Sequence, residues 1–211
     1  MTLINNQKIV ENWISQDPKK PFFEKRTIRT SRKNPEIVCK QDLENRFYKF
    51  LLKLGKKRYP NQKFENLSEI LCYELLCSYY PKDKIFTNKI NTLQNQITGK
   101  EIVYVPDLEI TDCYIEVKEL KWFGTGTANE KIFATPLKYY NLTKEKNKPL
   151  KIICVATQEY LLFNDSKLTC LGDNANSLMK NYISLCQNNN IQFYGLSELL
   201  IKRKKCEPLF D

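Results

Sequence analysis

At 211 residues, with 42% hydrophobic and 27% charged residues, the chain has material for one well-filled core and an ordinary globular composition. It contains no histidine, which excludes serine–histidine triads, cysteine–histidine proteases and the histidine-held zinc peptidases, and leaves carboxylates, lysine, hydroxyls or an oxygen-held hard cation to carry any chemistry. The formal net charge of +10 points to an anionic partner, with nucleic acid the obvious candidate.

That charge is not evenly spread. Residues 1–64 hold 16 Lys/Arg against 6 Asp/Glu, whereas residues 65–211 hold 18 of each. Five of the six arginines (Arg26, Arg29, Arg32, Arg46 and Arg58) lie in the first stretch. A lysine-rich composition bias would spread lysine evenly and would not gather arginine. The first eight residues lack the apolar stretch of a signal peptide. No apolar run reaches the roughly 18 residues of a membrane span. A cytoplasmic protein with no membrane partner is therefore expected. The eight cysteines are scattered singly with no Cys-x-x-Cys pair, which predicts buried free thiols.

Residues 1–35 carry Pro18, Pro21 and Pro35 without a clear period, and 21–33 read as an extended basic arm in which Arg26, Arg29 and Arg32 contact DNA. Over 41–57 the spacing of Leu43, Phe47, Phe50, Leu51 and Leu54 predicts a helix with a basic outer face, broken at Tyr59-Pro60. Residues 1–64 are thus a basic, partly helical region ahead of a core at 65–211. A second helix is expected over 66–79, striped by Ile70, Leu71, Leu75, Leu76 and Tyr79 and capped by Asn66 or Ser68. Strand-like segments follow at 84–90, 101–107 and 113–118, with a polar break at 95–100 that could make the first two a hairpin. A glycine-bearing loop at 122–127 leads into a helix from 128, interrupted near Pro136. The apolar run 150–157 reads as a strand buried on both faces. A helix at 174–188 and a short strand at 191–194 complete an α/β fold with a mixed sheet flanked by helices.

The stretch 105–118 is the informative one. A strand ends at Pro106-Asp107, a turn follows, and the next strand carries Glu116-Val117-Lys118. Side chains alternate along a strand, so Glu116 and Lys118 share one face while Ile115 and Val117 take the other. An antiparallel return brings Asp107 beside them. Two carboxylates and the Val117 carbonyl offer Mg²⁺ hard oxygen ligands, and Lys118 is spaced to serve a water and offset phosphorane charge. Carboxylate-x-lysine alone ordinarily marks a solvated face; the Pro-Asp, the turn and the helix and strand that follow give it weight.

On those residues the chain resembles the PD-(D/E)XK nuclease superfamily, with Pro106-Asp107 and Glu116-Val117-Lys118 as the motif. The element order over 66–156, under half the chain, looks like that superfamily's core, and 116–132 looks most like type II restriction endonucleases. The resemblance implies a restriction-endonuclease-like core and a sequence-specific endonuclease acting on double-stranded DNA. Asp107, Glu116 and Lys118 would be catalytic and Mg²⁺ the cofactor, with Mn²⁺ able to substitute. Paired cuts would suit a homodimer. A junction resolvase, a repair nuclease or a silent DNA-binding module on the same fold are the alternatives. Many members add a carboxylate from the helix before the strands: Glu69 and Glu74 are the candidates, with Glu69, about a turn from the helix start, favoured. Glu109 and Asp112, in the turn, read as solvated or capping. Lys121 and Lys131 are further DNA contacts, the latter beside a loop at 124–129 that is either a phosphate site or a plain connection. Trp122, Phe123, Tyr139 and Tyr140 read as core packing, and 202–205 as a solvated helix end.

Overall fold

The computed structural model describes Trp13 and residues 35–95, 97–121, 128–163 and 175–210. The expected arm with Arg26, Arg29 and Arg32, the loop 122–127 with Trp122 and Phe123, and the side chain of Lys131 lie outside the described residues.

An apolar strand with neither face to spare must sit at the centre of a sheet, and this decides the architecture. The elements in chain order begin with α1 (Pro35–Arg58) and α2 (Leu67–Leu76). Strands β1 (Phe86–Thr87), β2 (Asn91–Gln94), β3 (Glu101–Tyr104), β4 (Leu108–Glu109) and β5 (Tyr114–Leu120) follow. Then come α3 (Ala128–Lys146), β6 (Leu150–Ala156), α4 (Thr157–Phe163), α5 (Ser177–Asn188), β7 (Ile191–Gly195) and α6 (Leu196–Lys204). Every residue of β6 is buried. Ile153 and Val155 enter one core with Trp13, α1, α2 and α6, while Ile152 and Cys154 enter a second with α3 and α5. Strands β5 and β7 flank β6 in parallel. Strand β4 pairs antiparallel with β5, and β1 antiparallel with β4, giving the order β1-β4-β5-β6-β7. The fold is therefore α/β with a mixed five-stranded sheet between helices.

Three elements depart from the expectation. The segment 84–90 is mostly not strand: a 3-10 turn at Lys82–Lys84 precedes the two-residue β1, and Asn88 at φ 48° ends it. The hairpin instead joins β2 to β3 as a separate two-stranded ribbon. Helix α3 runs through Pro136 without interruption. Proline in a helix costs about 3 kcal/mol, and here Ile132 on one side and Tyr139 and Leu142 on the other are fully packed, so burial holds the helix through it. Helix α4 has no sequence signal of its own, because it leaves directly from the central strand, with Ala156 turning the chain at φ 56°. Of the described thiols, Cys72, Cys113, Cys154 and Cys186 are buried outside any disulfide, as expected, whereas Cys206 is exposed. No helix among the described residues is long and apolar enough to cross a membrane.

Candidate active site

The β4–β5 turn is closed by Ile110 N–H donating to the Cys113 carbonyl (3.0 Å), and sets Glu109 against Tyr114 and Leu108 against Ile115. Extending that register by two residues sets Pro106 against Val117. Proline has no N–H to give the ladder. The pairing stops there, and the Val117 N–H donates instead to Asp107 Oδ2 at 2.7 Å. In a strand the N–H and C=O of one residue leave toward the same edge, so the Val117 carbonyl opens beside Asp107 where Pro106 offers it no donor. The Pro-Asp dipeptide thus does two things at once: it places a carboxylate at the end of a broken ladder and frees a main-chain oxygen next to it.

Alternation along β5 supplies the second carboxylate. Ile115 and Val117 pack in the core of α2, and Glu116 turns to the face of α3. Glu116 is buried, with Oε1 bound by Lys118 Nζ at 2.7 Å and Oε2 receiving the Tyr139 hydroxyl at 2.8 Å. Burial, and then the Glu116 charge, lift the Tyr139 hydroxyl far above its ordinary range. The Asp107 carboxyl rises to about 7, chiefly by burial and next by repulsion from Glu116; the Val117 N–H and Lys118 oppose the rise. A half-buried acid, Asp107, and a buried one, Glu116, that repel one another beside a carbonyl to which Pro106 can offer no ladder donor are a set that a hard divalent cation would neutralise. The donors fit Mg²⁺ or Mn²⁺ if water and substrate complete the shell. Among the described residues no group of three or more His, Cys, Asp or Glu side chains is placed to hold a metal ion.

The structure brings Asp107, Glu116, Val117 and Lys118 together. Glu69 stands near enough for its charge to raise Asp107 further, but both its oxygens are engaged at the start of α2, by the Glu65 N–H and by Asn66 Nδ2, each at 2.8 Å. Glu74 faces elsewhere, taking the Tyr59 hydroxyl at 2.9 Å. Lys121 packs over the Tyr48 ring (4.1 Å) and reaches Asn45 Oδ1 (3.3 Å), so it braces α1. Asp112 is exposed. Glu109 is not solvated as expected: it is buried and bridged by Lys148 (2.9 Å) and Lys89 (3.0 Å). Against the effect of burial, hydrogen bonds from Lys148, Asn91 and Lys89 hold its carboxyl below the ordinary value.

Two residues at the site have roles that the sequence pattern does not announce. Tyr139 is fully buried, as packing required, yet its hydroxyl lies within hydrogen-bond distance of both Glu116 Oε2 (2.8 Å) and the Val105 carbonyl (2.9 Å). Glu119 lies on the other face of β5 and receives the Ser68 N–H (3.1 Å) at the N-terminus of α2, where the helix dipole favours an anion. This contact, with Tyr48 Oη accepting from Leu67 N–H at 3.1 Å, ties α1 and α2 to β5. A polar residue at an otherwise apolar strand position was the available signal. Comparison with protein-family models, with curated proteins and with solved structures finds no match to this chain.

Proposed function

We propose that the chain is a divalent-metal-dependent endonuclease of double-stranded DNA, with a restriction-endonuclease-like core and a sequence-specific, type II manner of cutting. The observation that carries this reading is the break in the β4–β5 ladder at Pro106, which gathers Asp107, Glu116, the Val117 carbonyl and Lys118 at one spot. Asp107, Glu116 and the Val117 carbonyl would hold Mg²⁺ or Mn²⁺. A bound ion of this kind polarises a phosphate oxygen and makes a water acidic enough to attack at neutral pH. Lys118, partly exposed, offers its ammonium to that water or to the charge that grows on phosphorus. Tyr139 holds Glu116 in one rotamer while this happens. The excess positive charge of residues 1–64 supplies the attraction to the DNA backbone. A homodimer suits paired cuts in a duplex.

The test is incubation of a long duplex with Mg²⁺ and resolution of the products on a sequencing gel. Discrete bands are expected; a smear sets sequence specificity aside. Asp107→Ala, Glu116→Ala and Lys118→Ala should each lower the rate on the order of a hundredfold or more while duplex binding in Ca²⁺ persists. Cleavage that resists a chelator refutes the metal-dependent reading. Binding without cutting under Mg²⁺ and Mn²⁺ favours a silent DNA-binding module instead.

A further inference from the structure

Glu116 accepts one hydrogen bond on each oxygen, from Lys118 and from Tyr139, which leaves each a further lone pair. A second lysine stands beside it. Lys138 Nζ donates to the Tyr139 hydroxyl oxygen at 3.0 Å and lies 3.9 Å from Glu116 Oε1, beyond hydrogen-bond reach. It also rides 4.5 Å from the centre of the Tyr139 ring, and its side chain is 56% exposed. Consecutive helical residues point about 100° apart, so Lys138 reaches this spot only by folding its stem back across its neighbour's ring. An ammonium has three donors, and among the described residues Tyr139 takes one. Ordering an exposed lysine costs side-chain entropy, and a solvated cation beside an already paired carboxylate returns little stability. The placement makes sense for an anion that arrives from solvent.

We propose that Lys138 is a second phosphate-binding cation of the site, reaching it from α3 as Lys118 reaches it from β5, and that it takes a backbone phosphate of the bound DNA. The identity of that phosphate rests on the nuclease reading; the cationic contact does not. The salt dependence of binding to a short duplex decides it, measured in chelator and in Ca²⁺ for the wild type, Lys138→Gln and Lys138→Arg. With one phosphate fewer neutralised, the slope of log affinity against log salt should flatten by about 0.9 in the glutamine variant. The arginine variant should keep the wild-type slope. An unchanged slope in Lys138→Gln overturns the proposal. In Mg²⁺ the glutamine variant should cut roughly tenfold slower with unaltered melting, since the side chain is exposed. A wild type that never cuts defeats the nuclease reading alone, because the slope still reads the contact.

Discussion

A carboxylate that holds a cation at a fixed place needs one oxygen steadied by something other than the cation, and on the proposed function the Tyr139 hydroxyl, 2.8 Å from Oε2, would do this for Glu116. Tyr139→Phe removes the hydroxyl and keeps the ring, so the packing of α3 survives and the missing hydrogen bond costs about 1 kcal/mol of stability. Cleavage should fall on the order of tenfold through kcat, with KM for DNA little changed, because the hydroxyl orients a ligand and touches no substrate. A wild-type kcat in this variant would remove Tyr139 from the positioning role. The two kinds of residue at the site differ in how they can be read. Asp107, Glu116 and Lys118 are legible in the sequence because a turn and an alternating strand are local rules that act over a dozen residues. Tyr139 and Glu119 are not, because their partners are set by which helix comes to rest on which face of β5. The Tyr139 contact spans 23 residues and that of Glu119 spans 51, and no local period carries such information.

At the scale of elements the same contrast holds. The core strand β6, the helix α5 and the short β7 follow from run length and periodicity, although α5 starts at Ser177 behind an Asn176 cap and not at 174. Helix α4 has no such signature because its seven residues are stabilised from outside the helix. Its Glu159 is buried and reaches across to the N-terminus of α6, where the Ser197 N–H (3.2 Å) and the Ser197 hydroxyl meet its two oxygens. A Cβ at Gly195 would overlap the Glu159 carboxylate, so a larger residue there would push that side chain off Ser197. Burial lifts the Glu159 carboxyl from 4.5 to about 7, although the Ser197 donors oppose it. A folded-state value above the unfolded one means that the folded chain holds this proton more tightly. The stabilisation is complete below pH 4.5, is lost as pH rises toward 7, and changes no further above it. The loss is on the order of 3 kcal/mol, at about 1.36 kcal/mol per pH unit. Glu159→Gln keeps the shape and removes the titration, so its stability relative to wild type should climb between pH 5 and pH 8. Denaturant melts of the two proteins across that range are the check, and parallel profiles would show that Glu159 does not titrate there.

For the molecule as a whole, the question is whether its basic third is an appendage or part of the body. Charge alone sets 1–64 apart in the sequence, and charge says nothing about packing. Trp13, Tyr48, Leu51 and Phe64 are buried in the same core as α2, α6 and the inner face of β5, and Trp13 Nε1 donates to Glu44 Oε1 at 3.0 Å. Deleting 1–64 would strip four large side chains from that core, at about 3–5 kcal/mol for each buried aromatic, and so would test folding in place of DNA binding. Removing charge without volume separates the two. Arg26, Arg29 and Arg32 replaced together by glutamine should leave the thermal melt in place and weaken duplex binding. The slope of log affinity against log salt should flatten by nearly three, at roughly 0.9 for each phosphate no longer neutralised. On the proposed function the cleavage rate at saturating DNA should hold, because the arginines would add affinity while Asp107, Glu116 and Lys118 would carry the chemistry. A wild-type salt slope in the triple variant would take these arginines out of the interface. The attraction would then fall to other basic residues, such as Arg46, Lys49, Lys53 and Lys56 at exposed positions of α1.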